Sequence, residues 1–253
     1  MNSLRPWFRS LPAVVALGLT AGMQAQNLLN VLETGGDNEP TDTITAKWTG
    51  QTFPISVNNE PFPGAVIGNT YTVGTFGSGA PAFVDRNHRF LSDPAGIAVP
   101  AYLAGLEYVM SGNDNRDNAS YRLDLTLATP SVMYLLIDNR LSDGDALTPP
   151  TFGAAAMQWV VDQGWTPTAN GLNRSNDPTR PDEVAFDEGA DNTINQFYSV
   201  YSKTVPAGTA SLLQADNAGR NMYTVVVASV PEPGTVALGV LGAAGLLFFA
   251  RRR

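Results

Sequence analysis

The sequence predicts an all-β domain, a β-sandwich with one short helix, set between two apolar terminal segments. Three observations carry that expectation. Apolar residues in the central part recur with period two over short runs, the pattern of strands half-buried on a core. Turn formers separate those runs, with 24 glycines and 18 prolines in 253 residues, and a single segment shows helical spacing. Charged residues make up only 15% while aromatics reach 9%, a balance that favours a packed core over a disordered chain.

Residues 1–25 read as a Sec-type signal peptide. Arg5 and Arg9 supply the positive start, Leu11 to Ala21 the apolar stretch, and small residues lead to a cut after Ala25, with Met23 an imperfect −3 residue. The apolar stretch is short for a membrane span, which weighs against an uncleaved anchor. Residues 26–229 then form the extracytoplasmic domain. Asn27 to Pro40 reads as a loose leader, and Thr43 to Trp48 and Asn69 to Thr75 as alternating strands. Tyr102 to Met110 and Ala119 to Leu127 are strands joined by the polar turn Asn113 to Asn118. In the second, Tyr121, Leu123, Leu125 and Leu127 share the buried face, opposite Arg122, Asp124 and Thr126. Ser131 to Ile137 is almost continuously apolar and is expected at the centre of a sheet. Phe152 to Gln163 places Phe152, Ala155, Ala156, Trp159 and Val160 on one helical side, with Gly164 as the stop. Thr166 to Pro181 is a long surface loop, and Thr193 to Val205 and Met222 to Ala228 complete the strands. Many short strands, frequent turns and no internal repeat point to a sandwich of jelly-roll type.

Residues 230–253 differ in character. Val230-Pro231-Glu232-Pro233-Gly234 breaks any preceding strand, and Thr235 to Ala250 is apolar and followed by Arg251, Arg252 and Arg253. As a helix the apolar run spans about 24 Å, and three arginines favour the cytoplasmic side, leaving what precedes Pro231 outside. This order resembles the PEP-CTERM sorting signal of Gram-negative bacteria that make extracellular polysaccharide. The resemblance implies Pro231, Glu232 and Pro233 as the sorting motif, a transmembrane helix, the basic terminus Arg251 to Arg253, and an exosortase, a membrane cysteine protease, as partner beside the Sec export machinery. The alternative is an ordinary tail anchor behind a proline-rich linker. The stretches YLLIDNRLSDGD, MQWVVDQGW and VPAGTASLLQADNAGRNMYTVVV resemble β-sandwich modules of bacterial surface proteins, which implies a galactose-binding-like sandwich.

The chemistry is bounded by what is scarce. There is no cysteine and a single histidine, His88, which removes disulfides, thiol catalysis and most zinc sites. Between the two terminal signals ten basic residues face twenty-two acidic ones, a net charge of −12 that disfavours nucleic acid. No nucleophile elbow accompanies His88, which reads as a solvated loop residue, and the glycine-rich Gly74 to Gly79 lacks the lysine of a phosphate loop. Calcium, as a structural ion, would take Asp143 and Asp145 after the central strand, or Asp187, Glu188 and Asp191 in a second acidic run; solvated acidic loops explain both runs as well. Trp48, Tyr102 and Trp165 are candidate stacking platforms for glycan, with core packing as the competing explanation, and Trp159 is expected inside. The expected function is a non-catalytic, surface-sorted envelope or matrix protein that binds glycan or is structural. The competing expectation is a polysaccharide-degrading enzyme with a carboxylate pair, Glu107 its first candidate although an outer, solvated sheet face accounts for that residue too.

Overall fold

The computed structural model describes residues 27–35, 52–54, 70–72, 76–83, 86–92, 97–154, 156–189, 191–215 and 219–230. The signal peptide, the expected strand Thr43 to Trp48 and the sorting tail from Pro231 onward lie outside them. The strands are β1 (Leu28–Thr34), β2 (Thr52–Pro54), β3 (Thr70–Thr72), β4 (Arg89–Leu91), β5 (Glu107–Val109), β6 (Arg122–Leu127), β7 (Ser131–Asp138), β8 (Thr166–Pro167), β9 (Glu183–Asp187), β10 (Gln196–Val205), β11 (Gly208–Leu212) and β12 (Thr224–Ser229). One α-helix, α1 (Gln158–Asp162), and one 3-10 turn (Asn113–Asp117) interrupt them among the described residues. No helix among the described residues is long and apolar enough to cross a membrane.

Two antiparallel sheets build the body. The larger follows the order β4-β9-β10-β7-β12-β5, with β8 added on β10, and the smaller runs β1-β6-β11; β2 and β3 pair separately. Strand β7 sits between β10 and β12 as its apolar run demands. Alternation in β6 does what it predicts: Leu123, Leu125 and Leu127 are buried, whereas Arg122 is exposed and Asp124 and Thr126 are half-buried. These leucines join Leu28, Val31 and Leu212 of the smaller sheet and Met133, Leu135, Tyr201, Val225 and Val227 of the larger in one core. Truncating a leucine such as Leu125 to alanine in a core of this kind costs about 2–5 kcal/mol. Aromatic rings fill another part of the core, with Phe186 stacked on Tyr198 at 4.5 Å and Phe90 edge-on to both.

Several expected boundaries move. The leader Asn27 to Pro40 contains β1, because Leu28 and Val31 bury completely on the core while Leu29 and Leu32 face out. Its strand ends at Gly35, where a β-carbon would lie 2.1 Å from the Ser120 carbonyl oxygen and φ is +69°. The strand expected over Tyr102 to Met110 is confined to β5, since residues 101–105 form a turn with Gly105 at φ +80°. The polar turn after it is a 3-10 segment with Asn113 and Asn115 buried, and it joins strands of different sheets. Helix α1 is shorter than its apolar spacing implies. Gly153 and Ala156 close a tight bridge, and Met157 takes a left-handed φ of 53° that places its side chain in the core, so the helix starts only at Gln158. It stops as expected: Gly164 at φ +77° lets the Trp165 N–H donate to the Val160 carbonyl and its own N–H to Val161.

Candidate functional site

Strand β7 has chemically opposite ends. At its far end stands Asp138, fully buried. Arg140, two residues on, closes a two-pronged pair on it, Nε to Oδ1 at 3.1 Å and Nη2 to Oδ2 at 2.8 Å. The same Nη2 reaches Glu188 Oε1 at 2.8 Å, which also accepts from Asn221 Nδ2. Asn221 in turn accepts from Asn113 Nδ2, and the Met222 N–H donates to Asn113 Oδ1. The buried 3-10 turn is thereby tied to the strand end. Burial alone would raise the Glu188 carboxyl, but Asn221 and Arg140 hold it below its ordinary value. Burial likewise favours a neutral Arg140, yet Asp138 and Glu188 push its pKa up.

Two further clamps stand beside it. Arg174 meets the buried Glu183 through Nε and Nη2, each at 3.0 Å, adds its backbone N–H, and lays its guanidinium 3.9 Å above the Phe197 ring. Asn139 donates to the same carboxylate. Burial would raise Glu183, and these donors hold it below its ordinary value. Arg89 binds the buried Asp187 at 3.0 Å, and the Gly189 and Asn192 N–H groups complete that carboxylate. Asp182 is buried with no cationic partner among the described residues: it accepts from Tyr102 OH, the Asn170 and Leu172 backbone and Asn170 Nδ2.

The near end of β7 is built from uncharged groups and one carboxylate. Asn27 donates to Ser131 Oγ at 2.7 Å, accepts from the Thr129 N–H and hydroxyl, and takes the Ala128 N–H on its carbonyl. Glu107 Oε2 receives the N–H groups of Asn27 and Leu28 at 3.0 and 2.9 Å. The Val230 N–H donates to the Pro130 carbonyl, one residue beyond the Ser229–Ser131 pairing that ends β12. The first and last residues of the described body are thus fastened to the same turn.

The residues singled out by sequence fall differently. Trp165 is 7% exposed and packs in the core, with Nε1 directed at Gln163 Oε1, so its ring face is not an open platform. Tyr102 is half-buried against Tyr134, its hydroxyl bound to Asp182 and Thr168; burial foremost pushes that phenol up. Trp159 is inside, donating to the Gln214 carbonyl. Trp48, Pro231, Glu232, Pro233, Arg251, Arg252 and Arg253 lie outside the described residues. Asp143 and Asp145 accept backbone N–H groups within their own turn, and Asp191 does so from Thr193. Asp187 and Glu188 are in the arginine clamps, and no group of three or more acidic or histidine side chains among the described residues is arranged to hold a metal ion. Glu107, weighed as a catalytic carboxylate and as an outer-face residue, is half-buried and caps the start of β1. His88 is not solvated but half-buried edge-on to Phe83 and Phe186, and burial foremost draws its imidazole down to about 4. Sequence reading missed the partners Arg89, Arg140 and Arg174 and the anchor Asn27; only Asp138 and Arg140, two apart in the turn that ends β7, stand close enough in sequence to signal a pair.

No curated protein and no solved structure matches the chain. Residues 229–253 match the PEP-CTERM protein-sorting motif, beginning on the last paired residue of β12. The chain therefore carries the sorting signal of an exosortase substrate, one that implies export, membrane anchoring and then surface sorting.

Proposed function

We propose that residues 26–229, released from a signal peptide at 1–25 and carried by the tail at 230–253, form a non-catalytic display module. It is a sandwich of jelly-roll type that presents its far loops to extracellular polysaccharide at the surface of a Gram-negative bacterium. The observation that carries this is the common fastening of Asn27 and Val230 at the Ala128–Ser131 turn. Both chain leads leave from one corner, so a tail held at the membrane turns that corner inward and the end around Asp138 outward. A non-catalytic role is supported by the engagement of the buried carboxylates Asp138, Glu183 and Asp187 by arginines and of Asp182 by N–H and O–H donors. We infer that internal guanidinium groups supply the stiffness for which loop calcium is the alternative source.

The test is binding of the full-length protein, in a non-ionic detergent, to the producing organism's extracellular polysaccharide, with calcium and then with chelator. Saturable binding that survives the chelator, with no release of reducing ends, is the expected result. Absence of binding overturns glycan recognition, release of reducing ends overturns the non-catalytic role, and loss of binding with chelator overturns the calcium-free construction.

A further inference from the structure

Between the two sheets, where β10 runs into β11, lies a groove of about 320 Å³ lined by Met133, Gln163, Trp165, Lys203, Thr209 and Leu212, among others. That volume sits at the low end for a small-molecule site. Its floor is apolar, Met133 being 0% and Leu212 1% exposed. Its rim is not. Lys203 pairs with Met133 across the β10–β7 ladder, and directly paired residues share a face, so this half-buried lysine sits on the core-facing side of β10. β8 pairs with β10 only at Tyr201 and Ser202 and leaves the edge beyond open.

The charge on that face is unusual for this molecule. Only two lysines occur in the sequence. The arginines Arg86, Arg89, Arg116, Arg122, Arg140 and Arg174 are ion-paired and Arg180 donates to the Ser175 hydroxyl and the Leu147 carbonyl, whereas the Lys203 ammonium, like Arg220, has no ion-pair partner among the described residues. Thr209, which carries a hydroxyl and lines the groove, is exposed, and Asp124, the acid bonded to the groove's Ser211 hydroxyl, is already paired with Arg122. A domain with net charge −12 repels a polyanion as a whole. It accepts a carboxylate only at a point where a cation is left uncompensated, and Lys203 is such a point.

We propose that this groove binds a carboxylated sugar, a uronic acid residue of an acidic polysaccharide. Lys203 meets the carboxylate, Gln163 and Thr209 of the groove lining meet ring hydroxyls, and the Met133–Leu212 floor with the edge of Trp165 meets the apolar ring face. This rests on the glycan-binding reading above and adds to it the ligand class and the place. An acidic peptide offers the same charge without the hydroxyls. A lysine facing inward at a strand edge also discourages edge-to-edge pairing, so the test must follow the ligand and not only the residue.

The experiment is calorimetric titration of the full-length protein, in a polyoxyethylene detergent that carries no sugar, with three probes: a galacturonic acid oligomer, its methyl ester, and an oligoglutamate of equal charge. The free acid is expected to bind at least about tenfold more tightly than the ester or the peptide. Lys203→Met should lose about tenfold with an unchanged melting temperature, and Lys203→Arg should retain binding. Equal binding of the ester or the peptide, or undiminished binding by Lys203→Met, overturns the proposal. If the protein binds neutral glycans but never the galacturonate, this proposal alone fails; if it binds no glycan of any kind, the display reading's glycan partner fails with it.

Discussion

The two ends of β7 differ in how the chain satisfies its buried polar groups. Seven residue steps, about 23 Å along the strand, separate Ser131 from Asp138. At Asp138 the buried carboxylates Asp138 and Glu183 are each met by a guanidinium, and Asp182 by N–H and O–H donors. At Ser131 an asparagine, two hydroxyls and backbone groups do the work, with a single carboxylate accepting two N–H groups. The far end is therefore specific and brittle: losing one partner leaves a charge in the interior. The near end is cumulative, several modest hydrogen bonds that together hold both chain leads at one corner.

The contrast breaks first at the far end. Arg174→Met leaves Glu183 buried and unpaired and should cost about 3–5 kcal/mol in denaturant unfolding, whereas replacing both partners by apolar residues should recover most of it. If the single variant costs under about 1 kcal/mol, the clamp is not holding the loop. A smaller effect comes from acid. The folded His88 binds its proton only near pH 4, and the unfolded chain binds one near 6.5. Its contribution is therefore full above about pH 6.5 and disappears as pH falls towards 4, a loss of ~2–3 kcal/mol. Below that, Glu183 and Glu188, both held below their ordinary values, are protonated and their clamps lost as well. Equilibrium unfolding at pH 7 and pH 4.5 checks this, and His88→Gln should flatten the slope between those two values. The smallest effect belongs to the near end: Glu107→Gln keeps one acceptor for two N–H groups and should cost about 1 kcal/mol, read most clearly as faster amide exchange at Asn27 and Leu28.

The body of the fold was legible because it follows from periodicity. β6, β7, β10 and β12 stand where alternation or continuous apolar runs place them, and Gly164 ends α1 for the reason its position suggests. What escaped is set by contacts distant in sequence. Leu28 to Thr34 shows no clean alternation, and it becomes a strand because β6 offers it an edge and Glu107, some eighty residues away, accepts its first N–H groups. The acidic runs read as open loops because the arginines that neutralise them, Arg89 for Asp187 and Arg174 for Glu183, come from other segments. Trp165 has the residue type of a sugar platform, but the turn at Gly164 carries it inward. By contrast the sorting motif is local in sequence and needed no tertiary information to be seen.

The orientation of the domain is open to one direct measurement, made easy by a chain without cysteine. Single cysteines at Leu147, 63% exposed beside the Asp138 end, and at Ala128, exposed at the Asn27 corner, would be labelled on spheroplasts retaining the tail, with small and with bulky membrane-impermeant maleimides. With the Ala128 corner turned to the membrane, Leu147→Cys reacts with both reagents and Ala128→Cys only with the small one. Equal reaction of the two positions with the bulky reagent would contradict the display of the far end.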